Sequence, residues 1–258
     1  MAYMPATRLV IKCGTEVLYG KGGWMVSKPK EDRWSSIARQ VVAAEEMSGV
    51  SMILVSSGAV RAGQENFKGT SSIFQLGKRE QWAGIGTRHL LKHWGDAFGC
   101  FGREIAYLLV SRATLRDSGE RQAIFSAIAD YHRCCIVPIL NENDVALEGE
   151  GGGNDLLAAD IACLTGASGV LFLTECGGVY EIDPWRHPGV RRYSEIDPRT
   201  ALTSSWLEDG MAGKLLEVVR CFAMGMRTAV AGLERDSIQR FAAGEPVGTM
   251  IGNSVSFY

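Results

Sequence analysis

Short runs of apolar residues alternate with longer amphipathic stretches along most of this chain. The apolar runs have the length of buried strands, and they are RLVIKC near residue 8, SMILVSS near 51, REIAYLLVS near 103, CIVPILNE near 135, GVLFLTE near 169 and RTAVAG near 227. Between them, apolar residues recur at helical spacing, as in WSSIARQVVAAEEM, REQWAGIGTRHLLKHWGDAF, RQAIFSAIADYH, NDLLAADIACLTG and GKLLEVVRCFAMG. This alternation predicts an α/β fold with a mostly parallel sheet that is covered by helices on both faces.

The segment from 176 to 208 interrupts the alternation. Its glycines and prolines predict an inserted lobe with a hairpin around His187-Pro188-Gly189. No repeat, low-complexity tract or Pro/Gly/Ser-rich linker divides the rest, so a single domain over residues 1–258 is expected. The long helical stretches carry Trp82 and Trp94, which suit either a subunit interface or the core.

Composition narrows the classes of partner. The chain has 27 basic and 29 acidic residues, a net charge of −2, so neither a nucleic acid nor a membrane is indicated. It contains no apolar run of about 18 residues and no secretory signal, which predicts a cytoplasmic location. The seven cysteines have neither disulfide-framework nor metal-site spacing, and they are predicted to be reduced and mostly buried.

Parallel sheets bind ligands beyond the carboxyl ends of their strands, so the residues that follow each strand are the candidates for chemistry. After the first strand, Lys12 is followed by the turn residues Gly14 and Thr15, where backbone amides suit an anion. After the second strand, the turn Ser57-Gly58-Ala59 has the same character. An ordinary strand-to-helix turn with a surface lysine, or a serine N-cap, explains either feature alone.

Polar side chains also gather after the fourth strand, in Asn141-Glu142-Asn143-Asp144, and Asn154-Asp155 then opens a helix. Such groups are costly to bury without a polar ligand or mutual hydrogen bonds, although Asn154 or Asp155 also suits a simple helix cap. Later, Asp209-Gly210-Met211-Ala212-Gly213-Lys214 places a lysine at a glycine-rich helix start. A second cation opposite Lys12 would suit phosphoryl transfer, whereas most such lysines are only solvated.

In this order, KCGT, ILVSSGAV, VPILNENDV, GGNDLLAA, LFLTECGGVYEIDP, GMAGK and VGTMI resemble the amino-acid-kinase family over essentially the whole chain. The resemblance is greatest to the members that phosphorylate the side-chain carboxylate of L-glutamate in proline synthesis. It implies a three-layer αβα sandwich around a largely parallel sheet of about eight strands. It also implies an acceptor lobe over residues 1–165 and a nucleotide lobe over 166–258.

The resemblance assigns roles residue by residue. By this similarity, Lys12 and Lys214 are the catalytic lysines and Asp155 is the aspartate that organises them. The positions matching the family's acceptor site are Ser57, Gly58, Ala59, Asn141, Asp144 and Asn154. The positions matching its nucleotide site are Lys12, Gly14, Thr15, Thr174, Glu175, Tyr180, Asp183, Gly210, Met211 and Lys214. ATP and Mg²⁺ are the implied cofactors, the partners are small molecules, and a homo-oligomer is implied, with no metal ligands from the protein.

Several positions depart from the family pattern. Glu16 stands in place of a serine, Gly153 in place of an aspartate, Glu175 in place of an aspartate and Asp209 in place of a glycine. The segment 192–208 is short for an acceptor lid, and the C-terminal domain that many glutamate-phosphorylating members carry is expected to be missing. These differences leave open a kinase of the same fold with another small acidic acceptor, or a paralogue that binds nucleotide or amino acid without turnover.

Overall fold

The computed structural model describes residues 7–20, 32–67, 78–146, 153–203 and 211–258. Within these ranges the strands are β1 Arg8–Cys13, β2 Ser51–Ser56, β3 Ile105–Val110, β4 Val137–Glu142, β5 Gly169–Leu173, β6 Tyr193–Ile196, β7 Arg227–Ala231, β8 Thr249–Ile251 and β9 Ser256–Phe257. The helices are α1 Thr15–Tyr19, α2 Arg33–Ser48, α3 Ala59–Asn66, α4 Arg79–Gly99, α5 Arg112–Arg116, α6 Ser118–Arg133, α7 Gly153–Thr165, α8 Pro198–Thr203, α9 Met211–Ala223 and α10 Ser237–Ala242.

These described strands form one sheet of nine in the order β3-β4-β2-β1-β5-β7-β8-β6-β9. The strands from β3 to β7 in this order are parallel, β8 runs antiparallel to β7, and β9 runs antiparallel to β6. The predicted α/β class and largely parallel sheet are confirmed, and all six predicted strands are present. Strands β6, β8 and β9 were not predicted, because runs of two to four residues with polar members carry no clear period.

Both faces of the sheet are buried, which is why its central strands read as nearly continuous apolar runs. In β1, Leu9, Ile11 and Cys13 pack into the core beneath helices α1 to α4 and α10, whereas Val10 packs into the core beneath α6 to α9. Side chains alternate along a strand, so Lys12 shares the face of Val10. This register directs Lys12 toward α7 and α9.

Trp94 belongs to the core. It is fully buried, and its indole nitrogen donates to Ser56 Oγ at 2.9 Å, at the end of β2. Trp82 is half-buried against Phe67, with ring centroids 5.6 Å apart.

The prediction that the cysteines are mostly buried is wrong. All seven are free, but only Cys13 and Cys221 are buried, and Cys100, Cys134 and Cys135 are exposed. Cys134 and Cys135 form the surface turn that ends α6, where Cys135 has a φ of 56°. Their position after the last helical residue places them outside any apolar face.

The predicted hairpin in the inserted segment is present. Tyr180 pairs with Arg192 in an antiparallel bridge, and the Glu181 N–H donates to the Arg191 carbonyl at 3.2 Å. Gly189 between them has a φ of 87°, a conformation that favours glycine. Residues 204–208 of the same segment lie outside the described ranges. In the part of the chain that the structure describes, no helix is both long and apolar enough to cross a membrane.

Candidate active site

Two lysines from distant parts of the chain meet at one carboxylate. Lys12 Nζ lies 2.9 Å from Asp155 Oδ1, and Lys214 Nζ donates to the same oxygen at 2.8 Å. Both lysine side chains are buried, with side-chain exposures of 7% and 10%, so they are withdrawn from bulk water. This arrangement concentrates two positive charges around one negative charge at the carboxyl end of β1.

The local structure explains how these three side chains converge. Lys12 is the penultimate residue of β1 and faces α7 and α9 by strand alternation. Asp155 lies in the first turn of α7, and Lys214 lies in the first turn of α9. Helix N-termini present unpaired amides and a partial positive charge, which favour an anionic ligand at the same place.

The charges perturb one another strongly. Burial, with the nearby Lys214 ammonium second, lowers the pKa of Lys12 from 10.5 to about 8. Burial alone would raise the pKa of Asp155, but Lys214 and Lys12 outweigh it and lower this pKa from 3.8 to about 2. At neutral pH the cluster therefore carries one surplus positive charge, which an oxyanion would neutralise.

The turn after β1 is open to a ligand. Gly14 precedes α1 in an extended conformation, and a Cβ added there would meet Lys12 Nζ at 3.7 Å, an ordinary contact. Packing against neighbours therefore does not demand a glycine here, and its absent side chain leaves the backbone beside Lys12 uncovered. Thr15 is half-buried and Glu16 is exposed in the first turn of α1. The exposure of Glu16 places its carboxylate in solvent.

The turn after β2 lies beside the first. The Ser57 N–H donates to the Cys13 carbonyl at 2.9 Å, which extends the β1–β2 pairing past the strands. Gly58 has a φ of 107°, and a Cβ there would lie 2.9 Å from Tyr19 Cε2, so this glycine is required both by conformation and by space. Ala59 then begins α3, whose first amides face this edge of the sheet.

The polar residues at the end of β4 and the start of α7 have two roles: one holds the two elements together, and the others are candidates for binding a ligand. Asn154 Oδ1 accepts from the Glu142 N–H at 3.0 Å, which ties the start of α7 to the end of β4. Asn141 is buried and its side chain interacts with the Tyr107 hydroxyl, but neither Asn141 Oδ1 nor that hydroxyl has a close hydrogen-bond partner among the described residues. Asp144 is also buried, and Arg79 Nη2 approaches its Oδ1 only to 3.4 Å. Asn141 and Asp144 therefore offer acceptor oxygens to a ligand.

The residues predicted for the nucleotide lie at the end of β5 and beyond. The Thr174 N–H donates to the Ala231 carbonyl at 2.8 Å, and Tyr180 Oη donates to the Cys176 carbonyl at 2.8 Å. Asp183 Oδ1 accepts from the Trp185 N–H at 2.8 Å, which closes a turn. Met211 is buried at the start of α9, close to Lys214, while Gly210 lies outside the described residues.

Glu175 is held by a residue that sequence reasoning missed. Arg33 donates to both of its carboxylate oxygens, at 2.5 and 2.9 Å, and the same guanidinium donates to the carbonyls of Glu16 and Val17 at 3.0 Å. Arg33 therefore connects α1 to the loop after β5. A cavity of about 460 Å³ opens beside this pair, and Arg192 also lines it. Neither arginine belongs to a motif, so no sequence signal marked them.

A family model for the amino acid kinase family matches residues 7–232. The chain belongs to that family. Among its curated relatives, the glutamate 5-kinase of Azoarcus sp. (strain BH72) is 31% identical, with 95% of this chain and 68% of that protein covered. The glutamate 5-kinase of Thermus thermophilus is 32% identical, with 95% of this chain and 67% of that protein covered.

Solved structures of two other kinases share the fold. The UMP kinase of Bacillus anthracis has a TM-score of 0.67 at 15% identity and covers 99% of this chain and 100% of its own. The carbamate kinase of Giardia lamblia bound to AMP-PNP has a TM-score of 0.66 at 11% identity, with 97% and 99% covered. At such identities the likeness establishes the architecture alone, which confirms the expected amino-acid-kinase fold.

Proposed function

We propose that this protein transfers the γ-phosphoryl group of ATP to the side-chain carboxylate of L-glutamate, giving glutamyl 5-phosphate, the first step of proline synthesis. The observation that carries the proposal is the meeting of Lys12 and Lys214 at one oxygen of Asp155. The similarity to glutamate 5-kinases supports the choice of acceptor. Acceptor and nucleotide are assigned to residues 1–165 and 166–258, respectively.

Phosphoryl transfer to a carboxylate requires stabilisation of the negative charge on the phosphate oxygens, and it does not require a general base. A glutamate carboxylate is ionised at neutral pH, so its oxygen attacks the γ-phosphorus directly while the bond to the β–γ bridging oxygen breaks and ADP leaves with the electron pair. The ammonium groups of Lys12 and Lys214 stabilise the charge on the transferred group and the leaving oxygen. Asp155 keeps the two amines at fixed positions before the substrates arrive.

Side-chain oxygens that accept hydrogen bonds favour an amino acid, rather than a phosphate monoester, as the substrate that receives the phosphoryl group. Asp144 is a buried carboxylate that Arg79 approaches at 3.4 Å, and Asn141 Oδ1 is a buried oxygen without a close hydrogen-bond partner among the described residues. These oxygens accept hydrogen bonds and therefore suit the α-ammonium of an amino acid, whereas a fully ionised phosphate has no N–H or O–H to donate to them. The amides of Ser57, Gly58 and Ala59 suit a carboxylate. Asn154 acts here through its hydrogen bond to β4.

The nucleotide is assigned to the glycine turn after β1 and to the loops after β5 and before α9. In this proposal Gly14 and Thr15 face the transferred phosphate. The remaining contacts come from Thr174, Glu175, Tyr180, Asp183, Gly210, Met211 and Lys214. Asp155 Oδ1 already accepts from both lysines, so Mg²⁺ is expected to enter with the nucleotide, whose phosphates supply its oxygen ligands.

A kinase of the same fold with another small acidic acceptor is the second candidate. Gly153 favours it, because the corresponding position in the family resemblance is an aspartate and because Gly153 has a φ of 71°, where a side chain is strained. One carboxylate of the expected cluster is therefore missing at the start of α7. A paralogue without turnover is the third possibility and is separated by the same experiment.

The test is acyl-phosphate trapping. The protein is incubated with Mg-ATP, hydroxylamine and each member of a panel of amino acids and small carboxylates, and hydroxamate and ADP are both measured. The proposal predicts hydroxamate with glutamate; ADP release with another acceptor alone selects the second candidate, and background values throughout select the third.

Size-exclusion chromatography of the same sample tests the expected homo-oligomer, and fractionation of the source cells tests the cytoplasmic location.

Lysine variants connect turnover to the site. Lys12→Ala and Lys214→Ala are each expected to lower turnover by about a hundredfold or more, because each removes a charge that stabilises the transition state. Lys92→Ala is the matched control, since Lys92 is an exposed lysine of α4 that pairs with Asp96 on the same helix. Normal turnover in either active-site variant would remove that lysine from the mechanism.

A further inference from the structure

A second, strongly basic cavity lies away from the lysine cluster. Its volume is about 300 Å³, within the range of small-molecule sites. Among the described residues, Asp160 is the one acidic residue that lines it. Four arginines also line it, namely Arg112, Arg116, Arg121 and Arg220. Leucine side chains of α5 and α7 form the apolar part of the wall. The lining residues alone carry a net charge of about +3 at neutral pH, and Glu217, which pairs with Arg220 outside the lining, reduces the local charge to about +2.

Two of these arginines have partners within the protein: Arg116 interacts with a neighbouring group, and Arg220 pairs with acidic residues. Arg220 donates to Asp160 Oδ1 at 2.5 Å and to Glu217 Oε2 at 3.0 Å. Arg112, by contrast, has a buried Nε that lacks a hydrogen-bond partner among the described residues. A buried guanidinium N–H without a partner costs free energy, and an oxyanion is the group that would satisfy it.

The arginines come from separate elements that converge on one space. Arg112 and Arg116 lie on α5, Arg121 lies in the first turns of α6, and Arg220 lies near the end of α9. A solvated charged face would place its arginines along one helix, whereas these four surround a concave volume. The planar guanidinium fork matches the oxygens of phosphate and carboxylate groups.

We propose that this cavity is a binding site for a small multivalent oxyanion, one that carries two or more phosphate or carboxylate groups. The site is distinct from the lysine cluster but shares its helices. On α7, Asp155 belongs to the lysine cluster and Asp160 lines the cavity. On α9, Lys214 and Arg220 are divided in the same way. On each helix the residue of the cluster and the residue of the cavity are about 8 Å apart along the axis.

Calorimetry on the full chain tests the proposal without any need for turnover. Pyrophosphate and citrate are the two probes, and they distinguish phosphate from carboxylate recognition. At least one is expected to bind with a dissociation constant below about 1 mM, and Arg112→Gln is expected to weaken that binding about tenfold by removing a charged hydrogen bond. Absence of binding by both probes would overturn the proposal.

Two further variants separate a loss of binding from a loss of folded structure. Arg121 is exposed, so Arg121→Gln removes a lining charge without risk to the fold and is expected to weaken binding by about threefold or more. Arg133→Gln is the matched control, because Arg133 is an exposed arginine at the other end of α6, where it pairs with Asp130. Equal affinity in the Arg121 and Arg133 variants, or loss of binding in Lys214→Ala, would refute a separate site. These binding measurements do not depend on turnover, so the failure of the proposed kinase activity and the failure of this second site would be seen separately.

Discussion

Asp155→Asn is the most informative single change at the candidate site. It removes the negative charge that Lys12 and Lys214 share and keeps the size of the side chain. Because the two amines lie 2.9 and 2.8 Å from one oxygen, they are at most about 5.7 Å apart, and two unit charges at that distance repel by about 3 kcal/mol at an effective dielectric constant near 20. In the variant, this repulsion is no longer offset by the carboxylate.

The consequence is a further fall in the pKa of Lys12. This pKa is already lowered to about 8 by burial and by Lys214, while Asp155 acts in the opposite direction. Each loss of about 1.4 kcal/mol of that support lowers the pKa by about one further unit. The ammonium is the form that stabilises phosphate charge, so the variant is expected to lose activity at a lower pH than the wild type.

The pH profile of kcat/KM for ATP measures this effect, since it reports the pKa values of the free enzyme. We expect wild-type activity to fall as the pH rises through about 8, and the activity of the variant to fall near pH 7 or below. Asp130→Asn, which changes an exposed pair on α6, is expected to retain the wild-type profile. An Asp155→Asn profile that falls at the same pH as wild type would refute the shared-carboxylate mechanism.

Three other predictions concern packing, the acceptor and acid stability. Gly86→Ala is expected to lower the free energy of unfolding by about 3 kcal/mol or more, because the new Cβ would lie 1.7 Å from the Ala59 carbonyl oxygen. Gly84→Ala on the same helix is its control, since that Cβ meets Val145 at an ordinary 3.7 Å; equal stability in denaturant titrations of the two variants would contradict the helix contact. Asp144→Asn is expected to raise the KM for the amino acid about tenfold and to leave the KM for ATP nearly unchanged, whereas an effect on ATP alone would contradict the placement of the acceptor. Because the folded-state pKa of Asp155 is about 2 against 3.8 unfolded, its stabilising contribution is present above pH 4 and is lost as the pH falls toward 2, so acid should destabilise wild type more than Asp155→Asn in the same titration.

The central part of the fold was predictable from local pattern. Strands such as β1 and β2 are buried on both faces, so their apolar runs stand out from the amphipathic helices between them. The antiparallel edge formed by β6, β8 and β9 was not predictable in this way. Those strands are short, and their pairing depends on partners far along the chain.

The candidate site divides in the same manner. Lys12, Asp155 and Lys214 each stand at a strand end or helix start that the sequence marks with glycine or polar residues. Arg33 carries no such mark, yet its guanidinium connects α1 to Glu175. Its role arises only because the first residue of α2 lies beside the loop that follows β5.

The order of apolar and polar positions thus determined which residues lie at the carboxyl ends of parallel strands, because a buried strand must be apolar and its exit must be polar. Tertiary structure alone decided which of these exits face one another. Strand order places β1 between β2 and β5, and the packing of α7 and α9 on one face brings Asp155 and Lys214 to Lys12. The balance of charge that sets their pKa values follows from that proximity, and it exists nowhere in the sequence as a local property.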